Sequence, residues 1–376
     1  MKFGKNIEIF SKNLLSALLR NIFSQEEYQI KPEFQKILFI RYGGIGDMIL
    51  TLPVLQAARK KYPQAMLDVL CDKKNADPLK GTGLADHIYY YQKQPLKVLL
   101  LFRRLRANRY NFVVNFLHYP SLTFGLLTRL AGPKAGRVAG NQGQYAYFYN
   151  RPVELPRLEE SHVLETLFRL SADVTGAEIP KLKTPWIEYD SSIKNEARRL
   201  FDLIISGLSL KKENPGIIAL NLTAGLERRE WPVEKFGEFL KIILNRYGNR
   251  KVIDGVAVVT DPKKPERVIE LMKMVDNRLV IELPMVTDFR VLMEFLRFSF
   301  MLITPDTSLS HAASCMGTPL LNLIIGENVN KWAPYGIPHV MVVSEDPLSL
   351  EELPVQKVVD GFERLLRIAG KRSRID

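Results

Sequence analysis

Three short segments gather the residue types that can do chemistry. The first is Gly43-Gly44-Ile45-Gly46-Asp47. Gly43, Gly44 and Gly46 lack side chains, so the backbone there can approach a ligand closely. Asp47 follows at once. A carboxylate at that point can take a proton from a hydroxyl nucleophile, or it can serve only as a first-turn helix acid that interacts with the helix dipole. The glycine spacing departs from GxGxxG, because Ile49 stands where the last glycine belongs, and this speaks against a dinucleotide-binding oxidoreductase.

The second segment runs from Asn221 to Pro232 and includes Thr223, Ala224, Gly225, Arg228, Arg229 and Trp231. A hydroxyl and the N–H groups of an Ala-Gly turn can receive a phosphate, and Arg229 or Arg228 can neutralise a diphosphate. A surface loop with scattered charges is the plainer alternative. The third is Thr304-Pro305-Asp306-Thr307-Ser308-Leu309-Ser310-His311. Asp306 is read as a helix N-cap, followed by N–H groups without intrahelical acceptors. Such a helix start attracts anions. Thr307, Ser308 and Ser310 add hydroxyl donors, and His311 falls on the first turn.

The elements around these segments alternate. Lys36–Arg41 is an apolar run with β-branched residues and reads as a buried strand; a helical pattern to Lys61 and a second strand from Ala65 to Cys71 complete a β-α-β unit. Further strands are expected near His87–Tyr91 and Phe112–Phe116, with a helix near Leu96–Ala107 between them. Residues 133–157, rich in Gly, Pro, Tyr and Asn, read as loops. A helix over Ser161–Thr175 precedes a break near 180–214. The alternation then resumes with strands at Gly216–Asn221, Val252–Thr260, Phe300–Thr304 and Pro319–Leu323. Helices are expected at Val233–Tyr247, Pro265–Val275, Phe289–Phe298 and Ser308–Met316. This is an α/β chain with parallel sheets. At roughly 100–200 residues per domain, 376 residues make two domains. We divide them as an N-terminal amphipathic extension 1–35, a first Rossmann-like domain 36–185, a second 186–350, and a C-terminal helix 351–376.

Composition narrows the partners. Cys71 and Cys315 form no CxxC or Cys/His cluster, which excludes a disulfide framework or zinc site and fits a reducing cytosol. The formal charge of +12 is uneven: His87–Val153 contains no Asp or Glu. That tract carries Lys93, Lys97, Arg103, Arg104, Arg106, Arg109, Arg129, Lys134, Arg137 and Arg151. It reads as a solvated basic face or as the seat of an anionic partner. No nucleic-acid motif accompanies it. Ile7, Phe10, Leu14, Leu18 and Ile22 recur at helical spacing among Lys5, Lys12 and Arg20. This basic amphipathic helix either packs on the protein or lies in a membrane interface. No run approaches the ~20 apolar residues of a membrane span.

With these motifs in hand, the chain resembles the lipopolysaccharide heptosyltransferases (glycosyltransferase family 9). The resemblance covers roughly residues 36–335. It rests on Ile37–Arg41, Gly46-Asp47, Leu50-Thr51-Leu52-Pro53, Thr223 through Trp231-Pro232, and Asp306-Thr307-Ser308-Leu309-Ser310-His311. It implies a GT-B fold, two Rossmann-like domains facing across a cleft, and inverting transfer of heptose from an ADP-heptose-type donor without metal or resident cofactor. The acceptor it implies is the lipopolysaccharide inner core on lipid A, at the cytoplasmic face of the inner membrane of a Gram-negative bacterium. Asp47 matches the family's base. Thr307, Ser308, Leu309 and His311 match its phosphate loop, with Asp306 opening it, and Arg229 falls where a phosphate-pairing lysine is usual. Glu266 falls near a donor-contacting carboxylate, and the basic tract, through Arg103, Arg104, Arg106 and Arg137, would receive the anionic acceptor. Ser308 replaces a usual glycine, and Gly326-Glu327-Asn328 departs from the usual Gly-x-Thr loop.

Overall fold

In the computed structural model, the described residues are 14–23, 34–117, 119–132, 134–140, 143–155, 161–176, 179, 181–212, 214–248, 252–275, 278–326 and 329–372. The chain divides into two compact units, Met1–Lys181 and Leu182–Asp376.

The first unit begins with helix α1 at residues 14–22. It then runs β1 (Lys36–Arg41), α2 (Ile45–Lys61), β2 (Met66–Cys71), β3 (His87–Tyr90), α3 (Pro95–Ala107), β4 (Phe112–Asn115), α4 (Leu122–Ala131), β5 (Gly136–Ala139), β6 (Arg151–Pro152), α5 (Val163–Leu170) and α6 (Ala172–Thr175). The strands form one parallel sheet in the order β3-β2-β1-β4-β5-β6. In β1, Ile37, Leu38, Phe39 and Ile40 are all fully buried, the expected fate of a strand covered on both faces. Right-handed crossovers send β1-α2-β2 in one direction and β3-α3-β4 in the other, so α2 and α3 cover opposite faces. α2 packs against α5 and α6, and α3 against α4. The sheet order reverses between β1 and β4, which opens a crevice beyond their carboxyl ends.

The second unit repeats the plan. It comprises α7 (Ser191–Gly207), β7 (Ile217–Asn221), α8 (Val233–Ile243), β8 (Gly255–Val259), α9 (Glu266–Met274), β9 (Val280–Glu282), α10 (Phe289–Phe298), β10 (Met301–Pro305), α11 (Ser308–Met316), β11 (Leu320–Ile324), β12 (His339–Val343) and α12 (Val355–Arg372). Its sheet is also parallel, in the order β12-β11-β10-β7-β8-β9, and reverses between β7 and β10. A large apolar core around Trp231, Phe236, Phe239 and Phe362 joins α8 and α12 to this sheet.

Several expectations change. The 133–157 tract, read as loops, contains β5 and β6. Strands of four and two residues are too short to display alternation, and glycines flank them. The break at 180–214 contains the 17-residue helix α7. Asp190 caps it, its carboxylate accepting the N–H groups of Ser192 and Ile193 at 2.9 and 3.2 Å. Its apolar stripe, Ile193, Ala197, Phe201 and Ile204, is a period-of-four pattern thinned by charges between. β9 and β12 are additional strands. Of the N-terminal amphipathic pattern, Ile7 and Phe10 lie outside the described residues, whereas Leu14, Leu18 and Ile22 lie on α1. Among the described residues no helix is long and apolar enough to cross a membrane.

Candidate active site

Asp47 stands on the first turn of α2, directly beyond the carboxyl end of β1 and at the reversal point of the first sheet. Its carboxylate is tightly held. Oδ1 accepts Arg41 Nη2 at 2.7 Å, and Oδ2 accepts the Gly44 N–H at 2.7 Å. Each oxygen has two lone pairs, so one remains on each, and the side chain is 25% exposed. Arg41, 1% exposed, also donates to the Phe116 carbonyl at 2.9 Å, and Asn75 holds the Arg41 carbonyl at 3.1 Å. Burial lowers the Arg41 pKa, and Asp47 acts against that shift. Gly43, at φ 153°, is required here: a Cβ on it would lie 2.3 Å from Asp47 Oδ2. Gly44 and Gly46 complete the turn into α2.

Sequence reasoning missed two residues at this point. Arg41 ends an apolar strand, and a charge in that position is the signal that could have found it. Tyr119, beyond β4, is 52% exposed. Burial of its ring raises its pKa, and the Asp47 charge adds to the effect.

In the second unit, Thr223, Arg229, Asp306, Thr307, Ser308, Leu309 and His311 come together beyond the adjacent strands β7 and β10, where that sheet reverses. A polar network ties the strand ends: Asn221 Nδ2 donates to Thr304 Oγ1 at 2.9 Å, and Thr304 and Thr307 hydroxyls lie 3.2 Å apart. Thr223 is 6% exposed, and its hydroxyl and N–H both donate to Asn221 Oδ1, at 3.2 and 3.3 Å. The Ala224 N–H, offered above to a phosphate, instead donates to Glu230 Oε1 at 3.0 Å.

The N-cap of α11 is Thr307, not Asp306; its hydroxyl accepts the Leu309 N–H at 3.2 Å. Thr307 wins because it has the extended conformation, φ −141° and ψ 176°, that precedes the first turn. Asp306 is thereby left to pair with Arg229 Nη1 at 2.8 Å, each side chain 33% exposed. Burial raises the Asp306 pKa, and Arg229 offsets part of the rise. His311 is 7% exposed, with its ring centroid 6.0 Å from that of Trp332. Trp332 was not singled out in the sequence, since it lies 21 positions further along.

Glu266 is exposed on the first turn of α9. Its neighbours connect it to the Arg229 loop. Glu230, 7% exposed, accepts Lys264 Nζ at 2.7 Å and lies 3.4 Å from Arg267, and Arg267 donates to the Trp231 carbonyl at 2.7 Å.

The basic tract is not brought to one place. Arg137 is 1% exposed and donates to the carbonyls of Phe148, Gly132 and Ala135 at 2.9, 2.9 and 3.2 Å. It braces the segment around β5, and this burial removes it from any acceptor surface. Arg103, Arg104 and Arg106 are exposed on the carboxyl half of α3. α3 leads from the carboxyl end of β3 to the amino end of β4, so these arginines sit toward the sheet edge opposite Asp47.

The glycosyltransferase family 9 (heptosyltransferase) sequence model matches residues 98–357. The chain is 21% identical over 320 residues to the lipopolysaccharide core heptosyltransferase OpsX of Haemophilus influenzae, covering 83% of this chain and 85% of that one. In fold it is similar to a family 9 glycosyl transferase from Veillonella parvula, with TM-score 0.72, 17% identity and 89% and 97% of the two chains covered. It is also similar to the E. coli ADP-heptose lipopolysaccharide heptosyltransferase II, with TM-score 0.68, 19% identity and 88% and 98% covered. The two parallel six-stranded sheets are thus those of the GT-B heptosyltransferase structures, and the chain belongs to glycosyltransferase family 9, the heptosyltransferase family.

Proposed function

We propose that this glycosyltransferase moves a heptose from an ADP-heptose-type donor to a hydroxyl of a lipopolysaccharide inner-core acceptor, with inversion. The observation that carries the reading is the pairing of two chemistries at the two reversal points. One has a rigidly held carboxylate with open lone pairs; the other has a helix start beside an arginine.

In this reading Asp47 takes the proton of the acceptor hydroxyl. That oxygen forms its bond to the anomeric carbon from the face opposite the diphosphate, the carbon–oxygen bond to the diphosphate breaks, and ADP leaves with the bonding pair. Arg41 and the Gly44 N–H hold the carboxylate in one orientation, so its position supplies much of the effect. Charge on the departing diphosphate is met by the first N–H groups of α11, by the Ser308 hydroxyl, by His311 and by Arg229 rather than by a metal ion. Arg229 must share its guanidinium with Asp306; its planar fork has donors left for a phosphate. Glu266 is assigned to the donor. The acceptor is carried by lipid, so the enzyme works at the cytoplasmic face of the inner membrane, with α1 against the lipid.

The test is calorimetric titration with ADP, GDP and UDP, followed by turnover of ADP-heptose. Asp47→Asn is expected to lower kcat by at least about a thousandfold, within the range of a lost general base, while the ADP Kd stays within about twofold. Arg229→Ala and His311→Ala are expected to weaken ADP binding about tenfold or more. Wild-type turnover by Asp47→Asn would remove the base assignment. Unchanged ADP affinity in both other variants would move the donor site elsewhere.

A further inference from the structure

Folding sorts the cations of the acid-free tract. Arg129 and Arg137 are buried, and Arg151 pairs with Asp173 at 2.8 Å. Of those left outside, Lys134 lies just before β5, and the other six gather on α3 and its flanks: Lys93, Lys97, Arg103, Arg104, Arg106 and Arg109 are all exposed. The same helix exposes leucines. Leu96, Leu99 and Leu100 are 67%, 52% and 48% accessible. With Arg103 they follow the i, i+3, i+4, i+7 spacing of a single helix face. The core does not need this face, because α3 already buries Leu101 and Leu105, backed by Val98, against the first unit's core.

α1 adds to the pattern. It is anchored by Ser16 on Tyr147 (hydroxyls 3.1 Å apart) and by Phe23, whose ring lies 5.8 Å from Phe148 and 5.3 Å from the Arg129 guanidinium. Leu14, Leu15, Leu18 and Ile22 remain 46–70% exposed. α3 packs on α4, and α1 reaches the same helix indirectly: Leu19 and Phe23 pack with Leu122 and Leu126 of α4 against the Tyr145–Tyr149 cluster, and Phe23 faces Arg129 of α4. They therefore share one layer of the first unit.

We propose that this layer seats on an anionic bilayer, with α3 as its main contact. Leu96, Leu99 and Leu100 enter the headgroup–acyl boundary, and Arg103, Arg104 and Arg106 pair with lipid phosphates. This deepens the reading of a lipid-borne acceptor and gives these arginines to the bilayer instead of to the acceptor sugar. Their place toward the edge opposite Asp47 fits headgroups, which are everywhere, better than one acceptor at the reacting hydroxyl. The occupant is a bilayer because the surface combines two complementary parts. Aliphatic side chains gain by leaving water for acyl chains, and a run of cations without one acid gains from anionic headgroups.

The test is flotation of the full chain with phosphatidylcholine vesicles, with and without phosphatidylglycerol. Binding is expected only with phosphatidylglycerol and is expected to fall as salt rises. L96S/L99S/L100S and, separately, R103E/R104E/R106E are each expected to lower the partition coefficient at least about tenfold. Both variants should bind ADP as the wild type does, which also reports that they are folded. Equal binding to neutral vesicles, or unchanged partition of the leucine variant, overturns the proposal. So does a wild-type dimer that the leucine variant abolishes, since the face would then belong to a second copy. The salt dependence of the wild type stands even if a variant fails to fold. Loss of ADP binding by the wild type with vesicle binding intact would overturn the donor reading and leave this surface in place.

Discussion

In the proposed role, a carboxylate that accepts a proton needs one free lone pair and a fixed direction; the neighbours of Asp47 leave the first and fix the second. Arg41 and the Gly44 N–H each take one position on different oxygens. The space that makes this possible is the missing side chain at Gly43. Gly43→Ala places a methyl 2.3 Å from Oδ2, at a backbone angle L-residues seldom adopt. The carboxylate must swing away. We expect kcat to fall by about a hundredfold, the scale of a 1 Å misplacement, with ADP affinity unchanged. Gly44→Ala is the control: its Cβ would sit 3.7 Å from the same oxygen, an ordinary contact, and steady-state kinetics should show most activity retained.

At the scale of elements, the loops after β7 and β8 depend on Glu230. It joins the loop after β7 to the loop after β8 by accepting from the Ala224 N–H and Lys264 while facing Arg267. The far side of the same loop is strapped by the segment before α12: Leu350 N–H donates to the Arg228 carbonyl at 3.0 Å, and Trp231 Nε1 to the Leu353 carbonyl at 3.0 Å. Arg229 lies between these two attachments. Glu230→Ala leaves the buried Ala224 N–H without its acceptor, which should cost about 1–3 kcal/mol in a urea melt. It should also weaken ADP binding about tenfold, because Arg229 loses one of its two supports. A full-affinity variant would show that the strap alone positions the arginine.

For the whole molecule, both sheets are covered on two sides, and this buries groups that titrate at high pH. Burial pushes the Cys71 thiol and the Tyr149 phenol up to about 12, and Cys315 is pushed up as well. In the unfolded chain the thiols titrate near about 8.5 and the phenol near about 10. The raised folded values mean that the stability linked to these groups is complete below those unfolded values. It is lost as pH rises toward about 12. Urea midpoints should therefore fall steadily from about pH 8.5 upward. A disulfide-exchange thiol reagent near neutral pH should label neither cysteine in the native protein and both in guanidinium.

Much of this was legible locally. The apolar run of β1, the glycine turn after it and Asp47 lie within twelve consecutive residues, and local chemistry alone aims a first-turn carboxylate at the start of its helix. α11 is likewise bounded by its own residues, Ser308 to Met316. Hydrophobic period, turn chemistry and motif order need no partner from afar, so the sequence by itself determined the alternation, the two α/β halves and the family. Partnership was decided only by the tertiary structure. Arg229 meets Asp306 across 77 positions and Asn221 meets Thr304 across 83. Thr307, not Asp306, caps α11, and Asp306 pairs with Arg229. The ten cations of the basic tract look alike in sequence, yet Arg137 is spent on three carbonyls while Arg103, Arg104 and Arg106 face solvent. The reason is physical. Which donor is buried and which acceptor it finds depend on distances created by strand order and crossover, and those arise only when the sheets close.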